Sequence, residues 1–268
     1  MMTFYGVIGD PVAHSLSPVM QNAAFGALHM DCYYGAFRVK PGDLTEAVNG
    51  ARLLGFGGLN VTIPHKEAVI RFIEGDDMAR AIGAANTIDL RNGVAYNTDA
   101  YGALHALRDG GVSVKGSRVL VLGAGGAARA VVYILAKNGA TVTVANRTVE
   151  KAAGLAAYMR EHGDVFGTGL DGLREKVEIA DIVVNTTSVG MGDGETLVTA
   201  DMLSPKQTVF DLVYKPLETP LLKEAKKAGA KTIDGITMLA RQGARSFEIW
   251  TGEKAPVEIM ERSARNAL

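Results

Sequence analysis

The sequence predicts an α/β protein built around mostly parallel sheets, and three observations carry that prediction. Short apolar runs typical of strands alternate with helical patterns along almost the whole chain, as expected for repeated strand–helix–strand units. A glycine-rich turn at residues 123–128 joins an apolar strand to a helix, as in dinucleotide-binding folds. The stretch RDGGVSVKGS at residues 108–117 is rich in glycine and charge, and we interpret it as a linker between two halves.

The elements of the first half follow from periodicity and from a helix-start signal. Ser17 precedes Pro18, a pair typical of an N-cap followed by the first helical residue. In GLNVTIPHKEAV, Leu59, Val61 and Ile63 alternate with polar residues as in a strand. The predicted order is strand Tyr5–Gly9, helix Pro18–Leu28, strand Tyr33–Val39, helix Asp43–Leu54, a strand from Gly58, short helical pieces, paired strands at Ala85–Leu90 and Val94–Tyr96, and a helix after Asp99.

The second half contains a further strand–helix series. Its strands are short and apolar, and its helices repeat small and apolar residues at helical spacing. A long helical pattern begins at Ile236 and runs nearly to the end of the sequence. The elements predicted before it are Arg118–Leu122, Gly126–Asn138, Thr141–Ala145, Val149–His162, Ile182–Asn185 and Thr208–Leu212.

Composition narrows the class of protein. A length of 268 residues suits one large domain or two ordinary ones, and 47% hydrophobic residues suit a globular core. A net charge of −1 gives no support for a nucleic-acid or membrane-surface partner. Cys32 is the single cysteine, which favours a reducing compartment. We therefore expect a cytoplasmic protein without a signal peptide, a membrane span or a metal-ligand set.

The glycine turn predicts a nucleotide site. It reads G-x-G-x-x-A between an apolar strand and a helix, which is the dinucleotide fingerprint. Gly123 permits the tight turn, Gly125 lets a pyrophosphate approach the backbone, and Ala128 lets the helix pack on the strand. The free N–H groups at the start of the helix favour phosphate. The predicted contacts are Gly123, Ala124, Gly125, Gly126, Ala127 and Ala128.

The tip of the next strand predicts NADP rather than NAD. NAD-binding proteins place an acid there to hold the ribose hydroxyls, but this chain has Asn146, Arg147 and Thr148, with Lys151 one turn later. A 2′-phosphate would meet a guanidinium, a hydroxyl and an ammonium. Two charge-assisted hydrogen bonds of roughly 1.5–3 kcal/mol each would favour NADP about a hundredfold or more. Thr148 is also placed to cap the next helix.

Polar residues of the first half predict a small-molecule site. Asn60 and Thr62 share one face of their strand, and Lys66 follows its end, where ligands of α/β sheets bind. Ser15 precedes the capping Ser17, and two hydroxyls beside a helix N-terminus suit a carboxylate. Two further polar residues stand by strands, Asn86 in GAANTI and Asp99 in YNTDAYG. For Asp99 alone helix capping is equally suitable, and for Lys66 alone a solvated surface position.

Together these motifs resemble the shikimate dehydrogenase family nearly from end to end. The similarity is carried, in order, by SLSP, LNVTIPHK, GAANT, NTD, GAGGAAR, NRT, VYKPLETPLL and DGITMLARQGARSFEIWTG. The resemblance implies that Ser15 and Ser17 hold the carboxylate of shikimate and that Lys66 and Asp99 are the catalytic pair. It assigns the substrate hydroxyls to Asn60, Thr62, Asn86, Asp99 and Gln242, with Tyr214 nearby. It also assigns Gly235 to the NADP contacts.

The resemblance also implies an activity and an architecture. The activity is reversible reduction of 3-dehydroshikimate to shikimate with NADPH, in chorismate and aromatic amino-acid biosynthesis. A substrate domain would comprise residues 1–100 and 236–268, with the final helices returning to it. A Rossmann domain would comprise residues 101–235, and substrate would bind in a cleft that opens and closes. We expect a monomer or homodimer that acts on a small molecule.

Departures from the family pattern and unassigned side chains keep alternatives open. Lys151 replaces a frequent arginine, Ala100 a common glycine, and Gly-Asp-Gly at 192–194 lacks a usual proline. Without the motif, Gln242 would suit an exposed helix face and Tyr214 ordinary loop packing. Two rival functions are an NAD-using quinate/shikimate dehydrogenase, which would want an acid at Asn146–Arg147, and a non-catalytic NADP-binding regulator, which should have lost Lys66 or Asp99.

Overall fold

A computed structural model describes residues 2–192 and 194–268. The chain forms two compact units. The first comprises the residues up to Gly102 together with Leu239–Ala267, and the second comprises Ala103–Met238 with Leu268. Asp193, in the Gly-Asp-Gly departure, lies outside the described residues. None of the helices in the described part of the chain is both long and apolar enough to cross a membrane.

The first unit contains a six-stranded mixed sheet in the order β2-β1-β3-β5-β6-β4. The pairs β1–β2, β1–β3 and β4–β6 are parallel, while β3–β5 and β5–β6 are antiparallel. Its strands are β1 Thr3–Gly9, β2 Cys32–Arg38, β3 Gly58–Val61, β4 Glu74–Gly75, β5 Thr87–Asp89 and β6 Val94–Tyr96. Its helices are α1 Ser17–Ala27, α2 Leu44–Leu53, α3 Asp77–Ile82 and α10 Val257–Asn266; α4 Thr98–Asp109 and α9 Gly235–Thr251 contain the unit boundaries.

An aromatic core holds β1, β2 and β3 of the first unit in register. Trp250 is fully buried, and its ring lies 5.1 Å from that of Tyr5 and 6.2 Å from that of Tyr34. The indole N–H donates to the carbonyl oxygen of Ile88 at 2.9 Å. Gly58 gives the indole room, because a Cβ there would lie 2.1 Å from its nitrogen. This packing fixes the strands that carry the polar residues of the first unit.

The second unit contains a six-stranded sheet with only parallel pairs in the order β12-β11-β10-β7-β8-β9. This is the doubly wound nucleotide-binding order, whose switch point lies between β7 and β10. Its strands are β7 Arg118–Leu122, β8 Thr141–Ala145, β9 Val165–Thr168, β10 Ile182–Asn185, β11 Thr208–Asp211 and β12 Lys231–Ile233. Its helices are α5 Gly126–Lys137, α6 Val149–Met159, α7 Leu173–Ile179 and α8 Pro220–Lys227. The predicted α/β class is thereby confirmed.

Two predictions about chain organisation are wrong. The single long C-terminal helix is two helices, since α9 ends at Thr251 and Gly252 follows with φ of 75°, a left-handed conformation that suits glycine. The stretch 108–117 is part of the second unit rather than a linker. Val114 within it is buried, and the Ser117 hydroxyl donates to the Val114 carbonyl oxygen at 2.6 Å. The boundary between the units falls inside α4.

Candidate active site

A largely buried ion pair lies beyond the end of β3. The Lys66 ammonium donates to Asp99 Oδ2 at 2.5 Å, and the two side chains are 14% and 6% exposed. The backbone around Lys66 is held on both sides: its carbonyl oxygen accepts from Ala85 N–H at 2.8 Å, and the neighbouring His65 ring bonds the Val39 carbonyl oxygen at 2.7 Å. Removing one member of such a pair leaves the other charge buried and unpaired. Lys66 is therefore not a solvated surface lysine.

Asp99 does not cap α4. Asn97 has that role, because its side-chain oxygen accepts from the Ala100 N–H at 3.3 Å. Asp99 is instead the second residue of the helix, where the dipole favours a carboxylate. Its second oxygen, Oδ1, accepts from Asn86 Nδ2 at 2.8 Å. The capping alternative is thus wrong, and both carboxylate oxygens are engaged by predicted site residues.

A buried polar cluster extends from Asn86. The Asn86 side-chain oxygen accepts from Thr98 N–H at 2.7 Å, and its amide nitrogen lies 3.1 Å from Gln242 Oε1. Gln242 is 7% exposed, so it does not lie on an exposed helix face. Asn60 lies in the same cluster, with its amide nitrogen 3.0 Å from the Asn86 carbonyl oxygen. The full cluster comprises Asn60, Asn86, Thr87, Thr98, Gln242 and Ser246.

The two serines lie at the start of α1, but not as predicted. The helix begins at Ser17, its N-cap is Leu16, and Pro18 follows as the second helical residue. The prediction that Ser17 caps the helix is therefore wrong. Ser15 has a structural role at this helix start, because its hydroxyl oxygen accepts from the Ser17 N–H at 3.2 Å. Thr62 lies half-buried against Gly9, where a Cβ would approach its methyl group to 2.4 Å.

Four residues of this region escaped the sequence analysis: Tyr34, Thr87, Thr98 and Ser246. Thr87 and Thr98 lie inside the motifs GAANT and NTD, beside residues that were singled out. Ser246 lies one helical turn after Gln242, a spacing that places both on one face. The signal for Tyr34 is weak, since β2 carries adjacent tyrosines and its pattern does not say which one faces inward.

The glycine turn has the geometry of a phosphate cradle. Gly123 follows β7 with φ of 108°, and a Cβ there would lie 2.6 Å from Thr186 Oγ1. Both the backbone conformation and the lack of space therefore exclude a side chain at this position. Gly125 is the exposed N-cap of α5, and a Cβ there would meet no heavy atom of the described residues within 4 Å. Ala128 is completely buried against the sheet. Ala124, Gly126 and Ala127 are half-buried between them. The residues present therefore fit a pyrophosphate.

The tip of β8 presents basic and polar groups. Arg147, Thr148 and Lys151 are exposed, and the Asn146 amide donates to the Thr148 carbonyl oxygen at 2.9 Å. Thr148 is the N-cap residue of α6, but within the described chain its side chain forms no capping hydrogen bond. Thr148 therefore lies at the predicted capping position, but the predicted capping hydrogen bond is not formed among the described residues. The residues at this tip fit an anionic ribose substituent.

The structure places Tyr214 and Gly235 in the second unit. Tyr214 is half-buried in the turn after β11, while the other predicted substrate residues belong to the first unit. Gly235 is buried at the start of α9, where a Cβ would lie 2.4 Å from the carbonyl oxygen of Leu212. Close packing alone explains a glycine at position 235.

We expect Gly235→Ala to destabilise the protein by roughly 1–3 kcal/mol, because the backbone of Leu212 must move to admit the methyl group. Urea unfolding measures the change in free energy. The matched control is Gly154→Ala in α6, where a Cβ meets no described heavy atom within 4 Å. That substitution should stabilise by up to about 1 kcal/mol through helix propensity. Equal effects at both positions would contradict the packing role.

Comparisons with known proteins agree along the chain. Residues 7–88 match the family model "Shikimate dehydrogenase substrate binding domain", 105–210 match "Shikimate / quinate 5-dehydrogenase", and 235–265 match "Shikimate 5'-dehydrogenase C-terminal domain". The chain is 68% identical to the NADP(+) shikimate dehydrogenase of Methanocella arvoryzae, with all of both chains covered.

Two solved structures have the same fold. A crystal structure of a shikimate dehydrogenase in complex with NADP+ superposes with a TM-score of 0.92 at 43% identity, covering 99% of this chain and 96% of the other. The enzyme from Thermus thermophilus in complex with NADP(H) and shikimate superposes with a TM-score of 0.91 at 39% identity, covering all of both chains. By its sequence, its two sheets and these matches, the chain belongs to the shikimate dehydrogenase family.

Proposed function

We propose that this protein catalyses the reversible, NADPH-dependent reduction of 3-dehydroshikimate to shikimate, in chorismate and aromatic amino-acid biosynthesis. The observation that carries the proposal is the buried Lys66–Asp99 pair, bordered by amides and hydroxyls that suit a polyhydroxylated ring. The doubly wound sheet with its open glycine turn and basic β8 tip supports NADP as cofactor. The relative at 68% identity and the solved structure at 43% identity are both named shikimate dehydrogenases, with NADP in each name.

NADPH, when bound, supplies the hydride. During reduction, negative charge builds on the carbonyl oxygen of the substrate. The Lys66 ammonium stabilises that charge and donates a proton to the same oxygen. The Asp99 carboxylate orients the ammonium through its 2.5 Å contact and accepts from a neighbouring substrate hydroxyl. Asp99 can accept this further hydrogen bond because Lys66 and Asn86 leave lone pairs free on its carboxylate oxygens.

The remaining residues bind and orient. Ser15 and Ser17 hold the substrate carboxylate at the start of α1. Asn60, Thr62, Asn86 and Gln242 hold the ring hydroxyls, and Tyr214 is assigned to substrate binding as well. The first unit, with the α9–α10 segment, serves as the substrate domain, and the second unit serves as the NADP domain. The cofactor contacts are Gly123–Ala128, Asn146, Arg147, Thr148, Lys151 and Gly235. Buried polar partners give sharp specificity, because an analogue without one hydroxyl leaves a partner unpaired.

The direct test is NADPH consumption with 3-dehydroshikimate, run beside NADH and in the reverse direction with shikimate and quinate. We expect turnover with shikimate and a preference for NADP over NAD of about a hundredfold. Preference for quinate with NAD would favour the rival dehydrogenase. Tight NADPH binding without turnover on any of these acids would favour a regulator.

We further propose that the enzyme works in the cytoplasm as a monomer or homodimer, without nucleic-acid or membrane partners. The near-neutral net charge and the single cysteine support this setting. Sedimentation equilibrium of the purified protein decides between the two oligomeric states.

A further inference from the structure

The hydroxyl of Tyr34 is hydrogen-bonded to Asn60, a residue of the proposed substrate site. Tyr34 lies in β2 with its side chain fully buried, and its hydroxyl lies 2.6 Å from Asn60 Oδ1. One phenol thus contacts the amide that borders the proposed hydroxyl-binding end of the site.

Nearby groups fix the direction of this hydrogen bond. The Asn60 amide nitrogen lies 3.0 Å from the carbonyl oxygen of Asn86. Because a carbonyl oxygen can only accept, the amide cannot flip, and its oxygen must face Tyr34. The phenol therefore donates its one hydrogen to Asn60. Burial raises the pKa of Tyr34 well above its ordinary value, so the phenol keeps that hydrogen at ordinary assay pH.

The backbone of Tyr34 is pinned as well, although β2 is an edge strand. The Asn22 side chain accepts from the Tyr34 N–H at 2.8 Å and donates to its carbonyl oxygen at 2.9 Å. Asn22 thereby satisfies the outward backbone groups that a further strand would otherwise satisfy. The ring packs against Trp250, with centroids 6.2 Å apart. The phenol consequently has little freedom to move away from Asn60.

We infer that Tyr34 is a positioning residue that orients the Asn60 amide for substrate binding. The inference rests on the proposed function, since it concerns how the same site recognises its substrate. Without the phenol, the Asn60 oxygen loses its donor. The amide then samples orientations that do not match the substrate, so the loss falls on substrate binding rather than on cofactor binding.

The test compares Tyr34→Phe with Tyr5→Phe. Tyr5 is a buried tyrosine of the adjacent strand that packs against the same Trp250, and its hydroxyl lies over Gly57. We expect Tyr34→Phe to raise the KM for shikimate about tenfold, the effect of one lost buried hydrogen bond, with the KM for NADP changed less than about twofold. Tyr5→Phe should leave both constants within about twofold, because it removes a hydroxyl from the same aromatic core but not from the site.

Two further measurements separate positioning from general stability. In the double variant Tyr34→Phe/Asn60→Ala the effects on the shikimate KM should be less than additive, because both changes break one contact. In NMR experiments without ligand, the side-chain amide hydrogens of Asn60 should exchange with solvent faster in Tyr34→Phe than in the wild type. Their exchange rate should be unchanged in Tyr5→Phe. Equal KM values for the two phenylalanine variants, or unchanged Asn60 exchange, would overturn the inference. A wild-type protein that fails to oxidise shikimate overturns the proposed function instead, and the Asn60 exchange still decides the role of Tyr34.

Discussion

Replacing Lys66 with methionine should lower kcat by about a factor of 10² to 10⁴, the usual contribution of a positioned proton donor, and leave NADPH affinity almost unchanged. Methionine keeps most of the volume of the lysine stem and removes the ammonium. The substrate oxygen then loses its electrostatic partner and its proton source together. Steady-state kinetics in the direction of reduction measures kcat, and fluorescence titration measures NADPH binding.

The same substitution has a second effect, which a paired variant separates from the first. Lys66→Met leaves the 6%-exposed Asp99 carboxylate without its cation, which should destabilise the protein by about 3–5 kcal/mol. The double variant Lys66→Met/Asp99→Asn removes both charges and should recover most of that loss, but none of the activity. Lys227→Met, at an exposed lysine paired with Glu224, is the control and should change neither quantity. Turnover restored together with stability would remove the pair from the chemistry.

The central strands of the second unit could be predicted residue by residue, whereas its outer strands could not. β7, β8 and β10 are short apolar runs with sharp limits, and the predicted bounds match the observed ones. β9 and β12 are exposed edge strands that carry polar residues, and β4 in the first unit is only two residues long. Such strands exist because a neighbour supplies hydrogen bonds, and that neighbour is not visible in local periodicity.

The contents of the candidate site could be predicted only in part. Lys66, Asn86 and Asp99 were identified through motifs, but no periodicity brings residues so far apart in sequence into contact. The resemblance to the family supplied that expectation, and the 2.5 Å contact agrees with it. The polar residues behind them, such as Tyr34 and Ser246, were missed because buried hydroxyls look like ordinary surface residues in a sequence. Burial, rather than residue type, distinguishes them.

Replacing Arg147 with alanine should lower kcat/KM for NADPH by about ten- to a hundredfold, the value of one charge-assisted hydrogen bond to a phosphate. The constants for NADH should change less than about twofold, since NADH has no 2′-phosphate to contact. Arg147 lies after the carboxyl end of β8, where nucleotides of doubly wound sheets bind. The measurement is a comparison of kcat/KM for both cofactors at saturating 3-dehydroshikimate.

The matched control for this prediction is Arg118→Ala. Arg118 is also an exposed arginine of the second unit, but it lies at the amino end of β7, away from the carboxyl ends of the strands where the nucleotide binds. It pairs with Asp181 at 2.9 Å. Its loss removes the same charge from the protein without approaching the nucleotide, so both cofactor constants should stay within about twofold. High salt should weaken the Arg147 effect, because the contact is solvent-exposed. Equal losses for NADPH and NADH in Arg147→Ala would mean that the guanidinium holds the fold of the β8 tip, and that the preference for NADP must come from Thr148 and Lys151.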